Sequence, residues 1–312
     1  MFDFLCNAEV IVDDVAVAEK VFVDALGFPE PRPTWGDKTP GYGFTYLFAR
    51  VHPSLVVSPT RIEAMALAPL DPTIDPERTL PFLDKLLAAQ GDRPWKTHAN
   101  EIGTSHIQAV AERLRANGCA FHEMPGPFTR LWLGWTEEDP GAYRPEDDGG
   151  LFIEVVETAA LGKGRELWEP RTEPELPAGS AVRVLRRSWI TADLAVTLAA
   201  LEKNFGIRPV ADPVFDTELG SYRAVIRFRH PRSAELELLE PVAPGEVKES
   251  LDTWGPGSWA IRIGVNDVEA KAYDLDRRGT LFETRSTTRE GAVLRVDTAK
   301  LGVPGLFEFA RV

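Results

Sequence analysis

The side chains of this chain that could do chemistry are few. There are five histidines, His52, His98, His106, His122 and His230, and two cysteines, Cys6 and Cys119. The cysteines form no CxxC pair, so zinc-finger ligation and thioredoxin-type chemistry have no support. No GxGxxG or P-loop spacing is present to cradle a phosphate, and no GxSxG elbow presents a nucleophilic serine. Carboxylates in apolar strands remain. Glu154 sits in LFIEVV, where a buried, unpaired carboxylate is costly and should meet a metal, a cation or a hydrogen-bond donor. Glu63, in RIEAMALA, invites the same argument. His98 follows the turn sequence GDRPWKT, and imidazole with carboxylate suits a divalent metal, Fe, Mn, Ni, Zn or Co. The other histidines have plainer readings. His106 should open a helix as a cap or surface residue, His122 should lie at the surface of a strand, and His52 and His230, each beside a proline, should be solvated loop residues.

The elements that would position these groups come from a repeat search. Residues 8–28 and 184–207 each read as a strand, then a helix that begins at an Asp and stops at a Gly. Asp14 precedes Gly27 by 13 residues, as Asp193 precedes Gly206. Asp is a good helix N-cap because its carboxylate accepts from the free N–H groups of the first turn. Residues 105–123 and 266–284 form a second pair, with His106 to Gly118 and Asp267 to Gly279 both 12 apart. Strand-like stretches follow each helix: TYLFARV, SLVVS and RIEAMALA; RLWLGW and GLFIEVVE; YRAVIRFRH and ELELLEP; AVLRVD and GLFEFARV. The chain is therefore expected to hold four βαβββ units, each exposing a sheet face that must pair with another. Residues 161–180 carry Pro170, Pro174 and Pro177 among charges and glycines, which predicts an extended linker. The expected division is 1–160, linker 161–180, and 181–312.

Composition excludes several function classes. The chain has 312 residues, 44% of them hydrophobic, which is enough for substantial cores without disulfides or a structural metal. Its apolar runs are far shorter than the roughly 18 residues a spanning helix needs. With 35 basic against 48 acidic residues and a net charge of −13, a role tracking a nucleic-acid backbone is disfavoured. The expected setting is a reduced cytoplasm, and a homodimer is compatible with the sequence.

The segments VDDVAVAEKVFVDALGF, DDGGLFIEVVE and LELLEP, with the order of units, resemble the vicinal oxygen chelate superfamily. That superfamily includes glyoxalase I, bleomycin- and fosfomycin-resistance proteins and the extradiol dioxygenases. The resemblance implies an α+β fold in which four βαβββ units pair into two glyoxalase-like half-barrels, each around a ligand cleft. It further implies metal ligands from the first strand of a unit, usually His, and from its last strand, usually Glu. Counting back from the helix caps, the first-strand position falls on Asn7, Ala99, Arg186 and Ala260. His98 adjoins Ala99, and a one-residue bulge would aim it inward. The last-strand position falls on Met65 with Glu63 two residues earlier, then on Glu154, Glu237 and about Glu308.

The resemblance thus implies a divalent-metal-dependent lyase, isomerase or dioxygenase acting on an oxygen-bearing small molecule. His98 and Glu154 are its catalytic and core metal residues, with Glu63 and Asn7 completing the shell. A metal-free ligand binder of the bleomycin-resistance type is the alternative, and a structural protein with vestigial clefts is a third. Trp132 and Trp135, in RLWLGW, read either as an aromatic wall for a planar substrate or as core, and core is preferred. Arg186, Glu237 and Glu308 read either as a polar ligand cleft or as a structural ion-pair network, and the network is preferred.

Overall fold

The computed structural model describes residues 2–31, 42–52, 54, 57–70, 73, 83–124, 129–135, 143–161, 168, 175–288 and 290–312. In the N-terminal half the order is β1 (Phe4–Leu5), β2 (Asn7–Ile11), α1 (Val15–Lys20), β3 (Tyr42–Ala49), β4 (Arg61–Leu70), α2 (Leu83–Ala89), β5 (Asn100–Thr104), α3 (Ile107–Ala116), β6 (Phe121–Met124), β7 (Arg130–Leu133), α4 (Pro145–Asp148) and β8 (Ile153–Glu157). In the C-terminal half it is β9 (Ala181–Ile190), α5 (Leu194–Phe205), β10 (Val214–Asp216), β11 (Ser221–Ile226), β12 (Glu235–Pro241), α6 (Glu246–Trp254), β13 (Gly257–Val265), α7 (Val268–Arg277), β14 (Glu283–Thr287), β15 (Gly291–Asp297) and β16 (Leu306–Arg311).

The helix caps lie where the spacing predicts. Asp14, Asp193 and Asp267 each accept from a first-turn N–H, on Ala16, Val196 and Ala270. Gly206 ends α5 in the left-handed conformation at φ +69°. The first helix departs from regular α geometry: after Lys20 it widens into a π-turn over Val21–Ala25, with Leu26 N–H donating to Val21 O. His106 stands at the N-cap of α3, exposed, without a side-chain bond to the first turn.

The C-terminal half is one eight-stranded sheet ordered β10-β11-β12-β9-β13-β16-β15-β14, in which β9 and β13 run antiparallel as the central seam. The N-terminal half splits at the equivalent seam into a five-stranded sheet, β1-β5-β8-β7-β6, and a three-stranded sheet, β2-β4-β3. The split begins at Cys6, whose N–H bonds Glu101 O in one sheet while its C=O accepts from Arg61 N in the other. The α+β arrangement of paired units in two half-barrels is therefore as expected. SLVVS, expected as a strand, has none at its described residues Ser54, Val57 and Ser58, because Ser58 N–H bonds back to Ser54 O and closes a turn. Most of the linker expectation, residues 162–167 and 169–174, lies outside the described residues. No helix among the described residues is long and apolar enough to cross a membrane.

Candidate metal centre

Strand register decides which side chains meet. Glu9 on β2 lies opposite Glu63 on β4, and Glu101 on β5 lies opposite Glu154 on β8. In the other half Ser188 faces Glu237 and Arg262 faces Glu308. The first-strand residue of each pair stands five positions before its helix cap, at Asp14, His106, Asp193 and Asp267. Counting back in the sequence goes two residues further, to Asn7, Ala99, Arg186 and Ala260, and does not single out Glu9 or Glu101. Side chains alternate along a strand, so a two-residue error keeps the face and changes the depth.

His98 reaches the same place by another route. No bulge in β5 is involved, since Asn100–Thr104 pairs with β8 without a shift in register. His98 precedes the strand, in the segment that fills the split between the two N-terminal sheets. The Glu9 carboxylate replaces the missing strand ladder there: it accepts from the N–H of His98 at 3.1 Å and of Ala99 at 3.0 Å, and from the Thr97 hydroxyl at 3.1 Å. His98 Nδ1 touches Glu9 Oε1, and its Nε2 lies 3.7 Å from Glu154 Oε2. One donor atom each from Glu9, Glu63 and His98 falls within 4.8 Å of the others, and all three residues are buried.

Around this core the polar groups are tied down. Asn7 Nδ2 donates to Glu63 Oε2 at 2.7 Å and also to Glu101, while Asn7 Oδ1 accepts from Arg61 Nε at 3.0 Å. Arg130 Nη1 pairs with Glu154 Oε1 at 2.9 Å. Glu101 Oε1 and Glu154 Oε2 are buried and take no hydrogen bond among the described residues. Among the described residues, four buried carboxylates thus face the Arg61 and Arg130 guanidiniums and one imidazole. Burial, with repulsion from Glu9 and Glu101, pushes the Glu63 carboxyl up to about 8. Burial and Glu154 raise Glu101. For His98, burial favours the neutral ring, but Glu9, Glu154 and Glu63 outweigh it and raise its pKa well above the ordinary value. Without a metal ion, this cluster gathers protons to cover its negative charge.

The residues fit a divalent cation on two counts. Imidazole with two carboxylates is a donor set for Fe, Mn, Ni, Zn or Co, and the orphaned oxygens of Glu101 and Glu154 are the kind of buried acceptors a cation or its attached groups would satisfy. All four residues expected to form the shell, His98, Glu154, Glu63 and Asn7, come together; Asn7 is turned to hydrogen bonding by Arg61 and its acidic neighbours.

The equivalent positions in the C-terminal half carry their own cations. Arg186 contacts Glu235, Glu237 and Glu290 at 3.4, 3.3 and 3.1 Å. Arg223 binds Glu237, and Arg262 binds Glu290 and, through Nε at 2.9 Å, Glu308. Burial alone would raise Glu237, but Arg186, Arg223 and the Ser188 hydroxyl outweigh it and hold its pKa at about 2. Arg186, Glu237 and Glu308 are thus gathered in an ion-pair lattice. A separate cleft of about 710 Å³ is walled by α6, Trp259 and Phe282. There Glu246 already bridges Arg285 and Arg295, so the chemistry favours the N-terminal cluster over this cleft.

Trp132 is buried behind His98, with ring centroids 5.3 Å apart, and Trp135 is buried against Tyr143. The aromatic surface beside the cluster is instead a half-buried ladder on β3, Phe44, Tyr46 and Phe48, with centroids 6.0 and 5.1 Å apart. Arg61 stacks on Phe48 at 3.7 Å. Its signal was the alternation of aromatics in GFTYLFA. His122 is half-buried, directly across from Trp132. His52 and His230, expected to be solvated, are buried at 1% and 4% exposure. Each ring folds back on its own turn, accepting from Ser54 N at 2.9 Å and Arg232 N at 3.2 Å, so both histidines are packed rather than solvated.

No protein-family model matches this sequence, and no curated protein does. Solved structures do. A triple mutant of 4-hydroxymandelate synthase from Streptomyces coelicolor matches with a TM-score of 0.62 and 15% identity, covering 100% of this chain and 93% of its own. BphC, a halotolerant catechol dioxygenase, matches with a TM-score of 0.58 and 11% identity, covering 100% and 87%. Methylmalonyl-CoA epimerase from Mycobacterium tuberculosis covers 45% of this chain and 93% of its own, with a TM-score of 0.39 and 18% identity. The two full-length likenesses show the fold: this chain shares with them an α+β architecture of four βαβββ units paired into two half-barrels.

Proposed function

We propose that the N-terminal half-barrel binds one divalent metal ion and that the protein is a metal-dependent lyase, isomerase or dioxygenase acting on a small oxygen-bearing molecule. The observation that carries this reading is the convergence of Glu9, Glu63 and His98 in a buried cluster with more negative than positive charge. His98, Glu9 and Glu63 would hold the ion, with Glu154 beside them. A bound cation supplies Lewis acidity. The protein's own groups do the rest. Asn7 fixes the Glu63 and Glu101 carboxyls through one amide. Arg130 orients Glu154. Glu101, with its pKa raised and Oε1 unbonded, can hold or release a proton at that oxygen. Phe44, Tyr46 and Phe48 offer an apolar wall that keeps water from the acidic cluster.

Elemental analysis of protein purified without added metal, then of His98→Ala and Glu63→Gln, tests this. Stoichiometric Fe, Mn, Ni, Zn or Co in the native protein and its loss from both variants is the expected result. Absence of metal after purification and after incubation with each ion refutes it. The excess negative charge also favours a second reading, a metal-free binder of cationic ligands. Because the Trp132 ring lies 5.3 Å from that of His98, such a ligand should quench tryptophan fluorescence saturably, with no metal present.

A further inference from the structure

The segment carrying His98 is held from the far side by the other half of the molecule. Arg93 leaves the N-terminal half and donates through Nη1 to Ser258 O at 2.8 Å and through Nη2 to Gly255 O at 2.5 Å. Arg187, on β9, is fully buried and donates to the Ser258 hydroxyl at 2.5 Å. Its guanidinium lies 4.5 Å from the centre of the Trp95 ring and 5.9 Å from that of Trp189. Trp95 in turn donates through Nε1 to Glu9 O at 3.2 Å. Thr97, His98 and Ala99 then close on the Glu9 carboxylate.

Arg187 is an unusual group to bury here. Among the described residues its Nε and Nη1 have no hydrogen-bond partner, and no carboxylate lies within ion-pair distance of it. A desolvated cation without a paired charge is expensive. The compensation visible in the structure is contact with the Trp95 and Trp189 rings, and Trp95 is the residue that fixes the approach of the segment to Glu9.

We propose that Arg187 is a positioning residue: through Trp95, and together with Arg93, the C-terminal half-barrel clamps residues 93–99 and sets His98 against Glu9 in the N-terminal cluster. The proposal rests on the reading of that cluster as a metal centre for its consequence, though not for its geometry. Burial, with repulsion from Arg93, lowers Arg187 to about 9 while Glu9 opposes the shift, so the guanidinium stays charged at neutral pH.

Two readouts test this in the full-length protein. The first is amide hydrogen exchange at Thr97, His98 and Ala99, whose N–H groups are bonded to Gln90 and Glu9 side chains. The second is affinity for Mn²⁺ or Zn²⁺, measured by competition with a chromophoric chelator. Arg187→Met removes an unpaired buried charge and should leave global stability equal or higher, yet speed exchange at these amides and weaken the metal about tenfold, as outer-shell changes do. Arg187→Lys should restore little, because an ammonium lacks the broad, weakly hydrated guanidinium that lies over the Trp95 ring. Arg223→Met, in the C-terminal ion lattice, should move stability without moving either readout. If Arg187→Met fails to fold, Arg93→Met removes the other arm of the clamp and must show the same two changes. Unchanged exchange at these amides in the folded variant, or metal affinity within about twofold of native, overturns the proposal. If the native protein takes up no metal, the metal-centre reading fails and exchange alone decides the clamp.

Discussion

The Glu9 carboxylate receives two backbone N–H groups and the Thr97 hydroxyl while touching the His98 ring. It serves the fold and the site at once. Truncating it to Ala leaves those buried donors without a partner, at a cost on the order of 3 kcal/mol. Glu9→Gln keeps one acceptor oxygen and should lose about half as much stability while still removing a metal-binding carboxylate. Urea denaturation of the two variants beside metal titration separates the two roles; equal stability of Glu9→Ala and native protein would contradict the assigned hydrogen bonding. Glu9 was not legible beforehand, because in AEVI it reads as the polar residue of an ordinary alternation. The signal that could have found it is a polar side chain five residues before each helix cap: Glu9, Glu101, Ser188 and Arg262. Glu154, by contrast, was legible alone, because four apolar neighbours left its carboxylate nowhere to be solvated.

Between elements, the two half-barrels treat the same positions differently. At the C-terminal seam the strands stay paired, and guanidiniums supply the positive charge for Glu235, Glu237, Glu290 and Glu308. At the N-terminal seam the strands part and His98 enters. The repeat was readable because Asp caps and Gly stops are local signals. Inward depth was not, because it depends on strand register set across the sheet. The lattice has a pH signature of its own. Glu237 is held at about 2 against an ordinary 4.5. A lowered folded-state pKa stabilises the native form above the unfolded value and is lost as pH falls through the folded one. The stability gap between native protein and Glu237→Gln should therefore be full above about pH 4.5, on the order of 3 kcal/mol, and shrink towards pH 2. Urea midpoints at pH 7 and pH 3 measure it; a gap that does not change with pH would mean that Glu237 is not held by Arg186 and Arg223.

Across the whole molecule the halves cap each other's helices. The carbonyls ending the first helix accept from the C-terminal half: Leu26 O from Lys271 at 2.6 Å, Ala25 O from Thr280 at 2.8 Å, and Val23 O and Asp24 O from Arg278 at 3.0 Å. The end of α5 accepts from the N-terminal half: Glu202 O from Arg113 at 2.8 Å, and Lys203 O from Asn117 at 2.8 Å. Beneath these bonds a single apolar core runs through both halves, with Phe2 packed on Phe205 and Phe28 on Phe307 and Phe309. Chains of this size commonly unfold in steps, but helix ends and core shared in this way leave neither half with a complete set of its own. The chain should lose tryptophan fluorescence and far-ultraviolet helicity in one coincident urea transition. Lys271→Met leaves the buried Leu26 carbonyl unsatisfied, at a cost of about 2 kcal/mol, and should move both probes together. Separate midpoints, or a shift confined to one probe, would mean that the halves are independent, and the clamp from Arg187 to His98 would then have no rigid body behind it.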